Sequence, residues 1–301
     1  MNTPVKRLDT KTKIALKNIL FATDFSLAAD FALPYAVEVA RRYGAKVIAV
    51  HVKPADMYAM VPPAGWGALA DAAKEVAKEE AERLERMFPG VENKVVIGEG
   101  DIWGVLSKII EENDIDLVVI GTHGRTGFRK ALLGSIAEEI FRQAPCPVLT
   151  VGPRATGDPE QATEAKEILF ATDFSPGSLA AAPYAISLAQ EHQARLVLLH
   201  VLHNPRTGEL MDPHEFVDSS LRRLQALVPP EARLWCEPSF VVEQGVPAEE
   251  ILEVAKQYHA DLIVLGVRRA EQHLDASTHL PWATAHKVVT QAACPVLTVR
   301  G

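Results

Sequence analysis

The sequence predicts an α/β protein of two tandem domains, each an open, doubly wound sheet of five parallel strands. Three observations carry this. The chain has 301 residues, enough for two domains of roughly 100–200 residues each. It is also written twice. ILFATDFS occupies 19–26 and recurs letter for letter at 168–175, and PYAVEVARRYGAKVIAVHV (34–52) lies over PYAISLAQEHQARLVLLHV (183–201) in the same register. DLVVIG (116–121) then answers DLIVLG (261–266), and APCPVLTV (144–151) answers AACPVLTV (292–299). A period of about 149 residues is far longer than a solenoid repeat, so each unit is a whole domain. Within each unit, finally, short and nearly continuous apolar runs alternate with helix-period segments, the pattern of a parallel sheet covered on both faces.

In the first unit NILFA reads as a strand, and AADFALPYAVEVARRY as a helix whose one awkward residue is Pro34. KVIAVHV is the second strand, and ADAAKEVAKEEAERLERMF a long helix whose charged face carries i,i+4 pairs. Strand KVVIG, helix WGVLSKIIEEN, strand DLVVIG, helix SIAEEIFRQ and strand PVLTV complete the unit. The first domain is therefore assigned to 1–151 and the second to 168–301. Between them lies a polar, Gly- and Pro-bearing linker, GPRATGDPEQATEAKE (152–167). The last strand of each unit should lie at a sheet edge, where unpaired backbone groups are a liability unless covered. Two such edges in one chain can pair antiparallel. Ligands of open α/β sheets bind outside the carboxyl ends of the strands, where strand order reverses. Thr23, Asp24, Val52 and the loop that starts at Gly121 all fall there.

Composition narrows the function. Hydrophobic residues make up 48% and charged residues 23%, with a formal net charge of -8. That acidity disfavours nucleic acid and membrane surfaces as partners, and no apolar run has the ~18 residues of a membrane span. The N-terminal stretch is basic but lacks the apolar core of a signal peptide. Three cysteines, Cys146, Cys236 and Cys294, do not make a disulfide framework. A cytoplasmic protein is expected.

The chemistry concentrates in GTHGRTGFRKALLGS (121–135). Gly121 ends a strand, and Gly134-Ser135 opens a helix whose first amides and dipole favour an anion. A glycine at 134 lets a phosphate approach the backbone, and Ser135 can cap the helix or offer its hydroxyl. His123, Arg125, Arg129 and Lys130 could balance phosphate charge. No lysine follows Gly134, so this is not a Walker A loop, nor is it a dinucleotide fingerprint. Taken alone, these residues read either as a phosphate cradle or as a plain glycine-rich connection with Ser135 as N-cap.

The same stretch fits the pattern G-x2-G-x9-G-[ST] and resembles the ATP-binding universal stress protein family. ILFATDFS, LVVIGTHGR and APCPVLTV resemble that family's first, fourth and last strands. The resemblance covers nearly all of the first unit, and the doubled chain looks like a tandem member with Rossmann-like domains. It implies that Ala22, Thr23 and Asp24 line the adenosine end and that Val52 touches the adenine. By the same resemblance Gly121, Gly124, Gly134, Ser135 and Ile136 wrap ribose and phosphates. Asp24 suits ribose hydroxyls or a Mg²⁺ riding on ATP, and it equally suits capping of the next helix. Relatives of this kind pair their last strands as dimers, which the tandem chain would do internally. A homodimer of tandem chains is a further assembly such units allow.

The second unit departs from the pattern. GVRRAEQHLDASTHLPWATAHKVV (266–289) keeps Gly266 but places Arg269 at the position of Gly124, Trp282 at that of Gly134 and Ala283 at that of Ser135. The first half of the site persists as Ala171, Thr172, Asp173 and Val201. This copy is either a structural partner or a binder of something other than ATP, and Arg268 with Arg269 leaves a phosphorylated ligand as a third reading. Elsewhere Asp101 in IGEGDIWG (97–104) reads as an N-cap. His51 and His200 read as packed strand-end residues, and Cys146 and Cys294 as buried inert thiols. MYAMVPPAGWGA (57–68) reads as a mobile surface loop, or as a segment that folds over the nucleotide with Trp66. The expected function, following the resemblance, is an ATP-binding stress-response regulator or binding module whose bound state is read by a protein partner or by oligomerisation; the alternatives are a slow ATP-hydrolysing enzyme and a scaffold that binds no nucleotide.

Overall fold

A computed structural model describes residues 14–53, 66–122, 133–153, 155, 165–202, 213–234, 236–267 and 279–301. Ala15–Pro153 is one compact unit. Its elements are β1 (Asn18–Ala22), α1 (Leu27–Tyr43), β2 (Lys46–Lys53), α2 (Trp66–Arg86), β3 (Asn93–Glu99), α3 (Ile102–Glu112), β4 (Leu117–Gly121), α4 (Ser135–Gln143) and β5 (Val148–Val151). The strands lie in the order β3-β2-β1-β4-β5, and every pairing within the unit is parallel. Strand order reverses between β1 and β4. That is the switch point where a crevice opens at the carboxyl edge.

The second unit contains β6 (Glu167–Ala171), α5 (Pro176–Leu179), α6 (Ala182–His192), β7 (Arg195–Leu202), α7 (Pro213–Leu227), β8 (Ser239–Gln244), α8 (Pro247–Gln257), β9 (Leu262–Val267), α9 (His279–Gln291) and β10 (Val296–Arg300). Its strand order, β8-β7-β6-β9-β10, repeats the first unit's, again with parallel pairings. β6 begins at Glu167, the last residue of the expected linker. Ile14 clusters with this unit; its amide donates to the hydroxyl of Ser187 at 3.1 Å, giving a partner to a polar group buried in the middle of α6.

Each sheet is pinned at its amino edge by one carboxylate. Asp116 Oδ2 accepts from the amides of Lys17 (2.7 Å) and Asn18 (3.0 Å), while its own amide donates to Asn18 O. Asp261 does the same for Lys166 (2.7 Å) and Glu167 (2.9 Å). These bonds fix the start of the central strand against its neighbour, so the other ends of both strands meet at a defined place. Ile19, Leu20, Phe21, Val118 and Val119 are wholly buried between the helical layers.

Helix α1 lies on the sheet through Ala28, Ala29, Ala32, Ala36 and Ala40, a face of methyl groups that permits very close approach. Ser26 caps its start and Gly44, at φ 62°, ends it in the left-handed conformation that glycine adopts without steric cost. Pro34 is tolerated inside this continuous helix. Its equivalent, Pro183, is handled differently. There α5 ends at Leu179 and α6 starts at Ala182, so the proline falls in a first turn, where its missing N–H removes no bond. α2 starts at Trp66, so residues 66–68 are helical rather than part of the expected loop; the rest of that loop, 57–65, lies outside the described residues. Among the described residues, no helix is long and apolar enough to cross a membrane.

Candidate functional site

At the carboxyl end of β1 the chain makes a dense corner. Thr23 amide donates to Val50 O at 2.9 Å, continuing the ladder one residue beyond the strand. Its hydroxyl accepts from Phe25 amide at 2.9 Å, and Asp24 Oδ1 accepts from Ser26 amide at 3.0 Å. Ser26 Oγ in turn accepts from Ala29 amide at 3.3 Å. The N-cap of α1 is thus Ser26, and Asp24 supports it from two residues further out through an Asx-type turn. Asp24 is half-buried while Thr23 is buried. Val52 lies near the end of β2, buried, with Cγ2 facing the site where Gly98 lacks a side chain.

The opposite wall comes from β4 and α4. Thr122, buried immediately after β4, donates its amide to Val151 O (3.0 Å) and accepts from Gly134 amide (2.8 Å). The loop therefore leaves and returns at a single hydrogen-bonded point. Gly134 is the N-cap of α4, at φ −62° and ψ 147°, with no side-chain cap. Ser135 is the first helical residue and exposed, so the reading of Ser135 as N-cap is corrected: Gly134, bonded to Thr122, is the N-cap and the helix begins one residue earlier. The start of α4 therefore lacks the side-chain oxygen that usually satisfies such amides. Ile136 is half-buried beside it. His123, Gly124 and Arg125, like Arg129 and Lys130, lie outside the described residues.

Gly121 has a packing role of its own. A Cβ built on it would strike the carbonyl of Ala28 and lie 2.9 Å from the amide nitrogen of Ala29. Its missing side chain is thus required by α1, and any contact with a ligand falls to its backbone. Gly266 repeats the arrangement against Gly177 and Ser178.

The second unit reproduces the first corner atom for atom. Thr172 Oγ1 accepts from Phe174 amide (2.9 Å), Asp173 Oδ1 from Ser175 amide (2.9 Å) and Ser175 Oγ from Ser178 amide (3.2 Å). One addition is the Ser178 hydroxyl, 2.8 Å from Thr172 Oγ1, where the first unit has Ala29. The other wall differs more. α9 begins at His279, so Trp282, at the position of Gly134, lies within the first turn of the helix. Helical backbone occupies the place where the first unit has an uncapped start. Arg268 and Arg269 lie outside the described residues.

His51 and His200 are packed and hydrogen-bonded, each ring Nδ1 standing 2.8 Å from the carbonyl of Thr23 or Thr172. Burial lowers the pKa of His200, and the Arg223 cation adds to this against the opposing pull of the Thr172 carbonyl and Asp173. Asp101 caps α3 by accepting from Gly104 amide at 2.6 Å. Cys294 is buried, its thiol pushed up to about 12 chiefly by burial, whereas Cys146 is only half-buried, which corrects the expectation of two equally buried thiols. Sequence reasoning overlooked Thr122, Phe25 and Arg83 as parts of the site. Phe25 and Phe174 were visible inside the repeated ILFATDFS. Arg83 and Arg223 were not, because the two long helices do not keep the register of the rest.

Comparison with known proteins agrees with this architecture. The sequence profile of the Universal stress protein family matches residues 15–152 and again 164–300. A universal stress protein of Methanocaldococcus jannaschii is 32% identical over 138 residues, covering 45% of this chain and 81% of the relative. One from Mycobacterium tuberculosis is 26% identical over 263 residues, 82% of this chain and 86% of the relative. The crystal structure of a universal stress protein from Archaeoglobus fulgidus shares the fold with a TM-score of 0.69 at 21% identity, covering 96% of this chain and 98% of that one. With the family profile matched in both units and the fold shared across the chain, this protein belongs to the universal stress protein family.

Proposed function

We propose that the first unit binds ATP at the carboxyl edge between β1 and β4, and that the second unit does not. The observation that carries this reading is the asymmetry of the two α4-type helix starts: a glycine N-cap without a side-chain cap in the first, helical backbone in the second. Uncapped amides at a helix start suit a phosphate, and the glycine spacing of 121–135 supplies the matching sequence. In this reading Ala22, Thr23, Asp24 and Val52 meet the nucleoside. The backbone of Gly121, Gly134, Ser135 and Ile136 holds the phosphates, together with His123, Gly124 and Arg125 of the loop. Asp24 is the carboxylate for ribose hydroxyls or for Mg²⁺. The chain then works as a cytoplasmic binding protein whose nucleotide state is read by a protein partner in the stress response, with hydrolysis slow or absent.

Nucleotide analysis of the purified, denatured protein tests the reading directly, with calorimetric titration of ATP into the stripped protein. One ATP per chain is expected, and none in Gly134→Trp, which copies the second unit. Two ATP per chain, or unchanged binding in that variant, would overturn it.

A further inference from the structure

Phe25 and Phe174 adopt left-handed backbone conformations, φ 58° and 60°. A bulky L-residue rarely takes this conformation, and it persists only where its surroundings hold it. In both units those surroundings are alike. The Phe25 ring lies against His51, with centroids 4.7 Å apart, and the Arg83 guanidinium stands over the same ring, 4.6 Å from its centroid. The Phe174 ring lies 4.5 Å from His200 and 3.9 Å beneath Arg223. Both arginines come from the long helix after the second strand, α2 or α7, at different sequence spacings.

The strained residue sits between the two that define the corner. Asp24 precedes it and Ser26 follows it, so the Phe25 conformation decides whether Asp24 Oδ1 reaches Ser26 amide. His51 fixes the other side, bonding Thr23 O. We infer that Arg83 is a positioning residue for Asp24. It acts through the Phe25 ring, which it holds in place beside His51, and it thereby couples the placement of α2 to the geometry of the ligand corner. The arginine touches the ring and not the ligand. Arg223 does the same for Asp173.

The test measures amide exchange by NMR in the nucleotide-free full chain, which needs no ligand, and then ATP affinity by calorimetry, which rests on the proposed function. Losing an exposed cation–π contact in Arg83→Met should speed exchange of the Ser26 and Phe25 amides about two- to fivefold and weaken ATP by a similar factor. Arg83→Lys should restore part of both. Phe25→Ala, which keeps the strain and loses both ring contacts, should speed exchange more than Phe25→Gly, which relieves the strain. In the Phe25→Gly background Arg83→Met should add nothing. Arg223→Met should loosen the Ser175 amide and leave ATP affinity alone. Unchanged Ser26 exchange in Arg83→Met overturns the inference. So does an Arg83→Met loss of ATP affinity that persists with glycine at 25, because the arginine would then act on the ligand directly. If the parent protein binds no ATP, the nucleotide reading fails while the exchange data still decide the clamp.

Discussion

Gly121→Ala should be the most costly single-methyl change in the first unit. The new Cβ would fall against the Ala28 carbonyl and 2.9 Å from Ala29 N, where ordinary contact begins at 3.4 Å. The helix must therefore retreat by at least about half an ångström, and by more at the carbonyl. Both obstacles are backbone, so no rotamer change relieves them, and the cost belongs at the upper end of overpacking, about 3 kcal/mol. Gly121 is absent from the left-handed residues, so the penalty is steric alone. Gly44→Ala is the control: its φ is 62° with open space around the new methyl, and it should cost about 1 kcal/mol from backbone conformation. For a unit of this size the difference amounts to roughly 4–8 °C in melting temperature. Scanning calorimetry is the suitable assay because it can resolve transitions of separate units. The retreat also moves the first turn of α1, which carries Ser26 and leans on Asp24, so ATP affinity should fall in Gly121→Ala and not in Gly44→Ala. If Gly121→Ala melts no lower than Gly44→Ala, the close approach of β4 and α1 is not what requires the glycine.

Three further outcomes follow from the same contacts. Asp24→Ala should weaken ATP binding and Asp173→Ala should leave it unchanged; equal losses in calorimetric titrations would contradict the asymmetry of the two units. The folded-state pKa of His200 lies below its ordinary 6.5 because burial disfavours the imidazolium. The unfolded chain therefore binds more protons as pH falls through 6.5, and the second unit should lose stability on acidification until the folded-state pKa is passed. His200→Asn, whose amide can still donate to Thr172 O, should flatten denaturation midpoints between pH 7 and 5, and an unchanged pH dependence would refute this. Thiol labelling at neutral pH should modify Cys146 first. Cys236, pushed up to about 11 by burial, and Cys294 should react only as the chain opens; rapid loss of all three thiols in the native protein would contradict it.

The repeat and the apolar runs made the fold legible, because strands buried on both faces must be continuously apolar and the helices between them must be amphipathic. The N-cap Asp101 was legible because chemistry three residues away decides it, and the packed histidines because they end apolar strands. Three features were not. Ser135 looked like a cap, but the bond from Gly134 amide to Thr122 O, across the whole loop, sets the helix start. Gly121 looked like a ligand contact, and its need for a bare backbone comes from Ala28, far away in sequence. The same PYA tripeptide gives a continuous helix at Pro34 and a break before Pro183; the bonded hydroxyls of Thr172 and Ser178, found only in the second unit, accompany the break.

The identity of ILFATDFS in the two units also bears on how the chain reaches its native state. β1 and β6 present the same four apolar residues to their neighbours. Each also enters its sheet through two amides gathered by an aspartate, Asp116 or Asp261. Apart from the ion pair of Glu167 with Arg195, which β1 with Asn18 cannot make, local pairing gives little to tell one strand from the other, and β1 inserted between β7 and β9 would satisfy the same backbone ladder. Discrimination falls to timing and chain connectivity. During synthesis the first 153 residues can close around β1 before β6 emerges, so no vacancy remains for the wrong strand. On dilution from denaturant both strands compete at once, and swapped, aggregation-prone species become the characteristic failure. Refolding yield should then be lower for the tandem chain than for either half refolded alone.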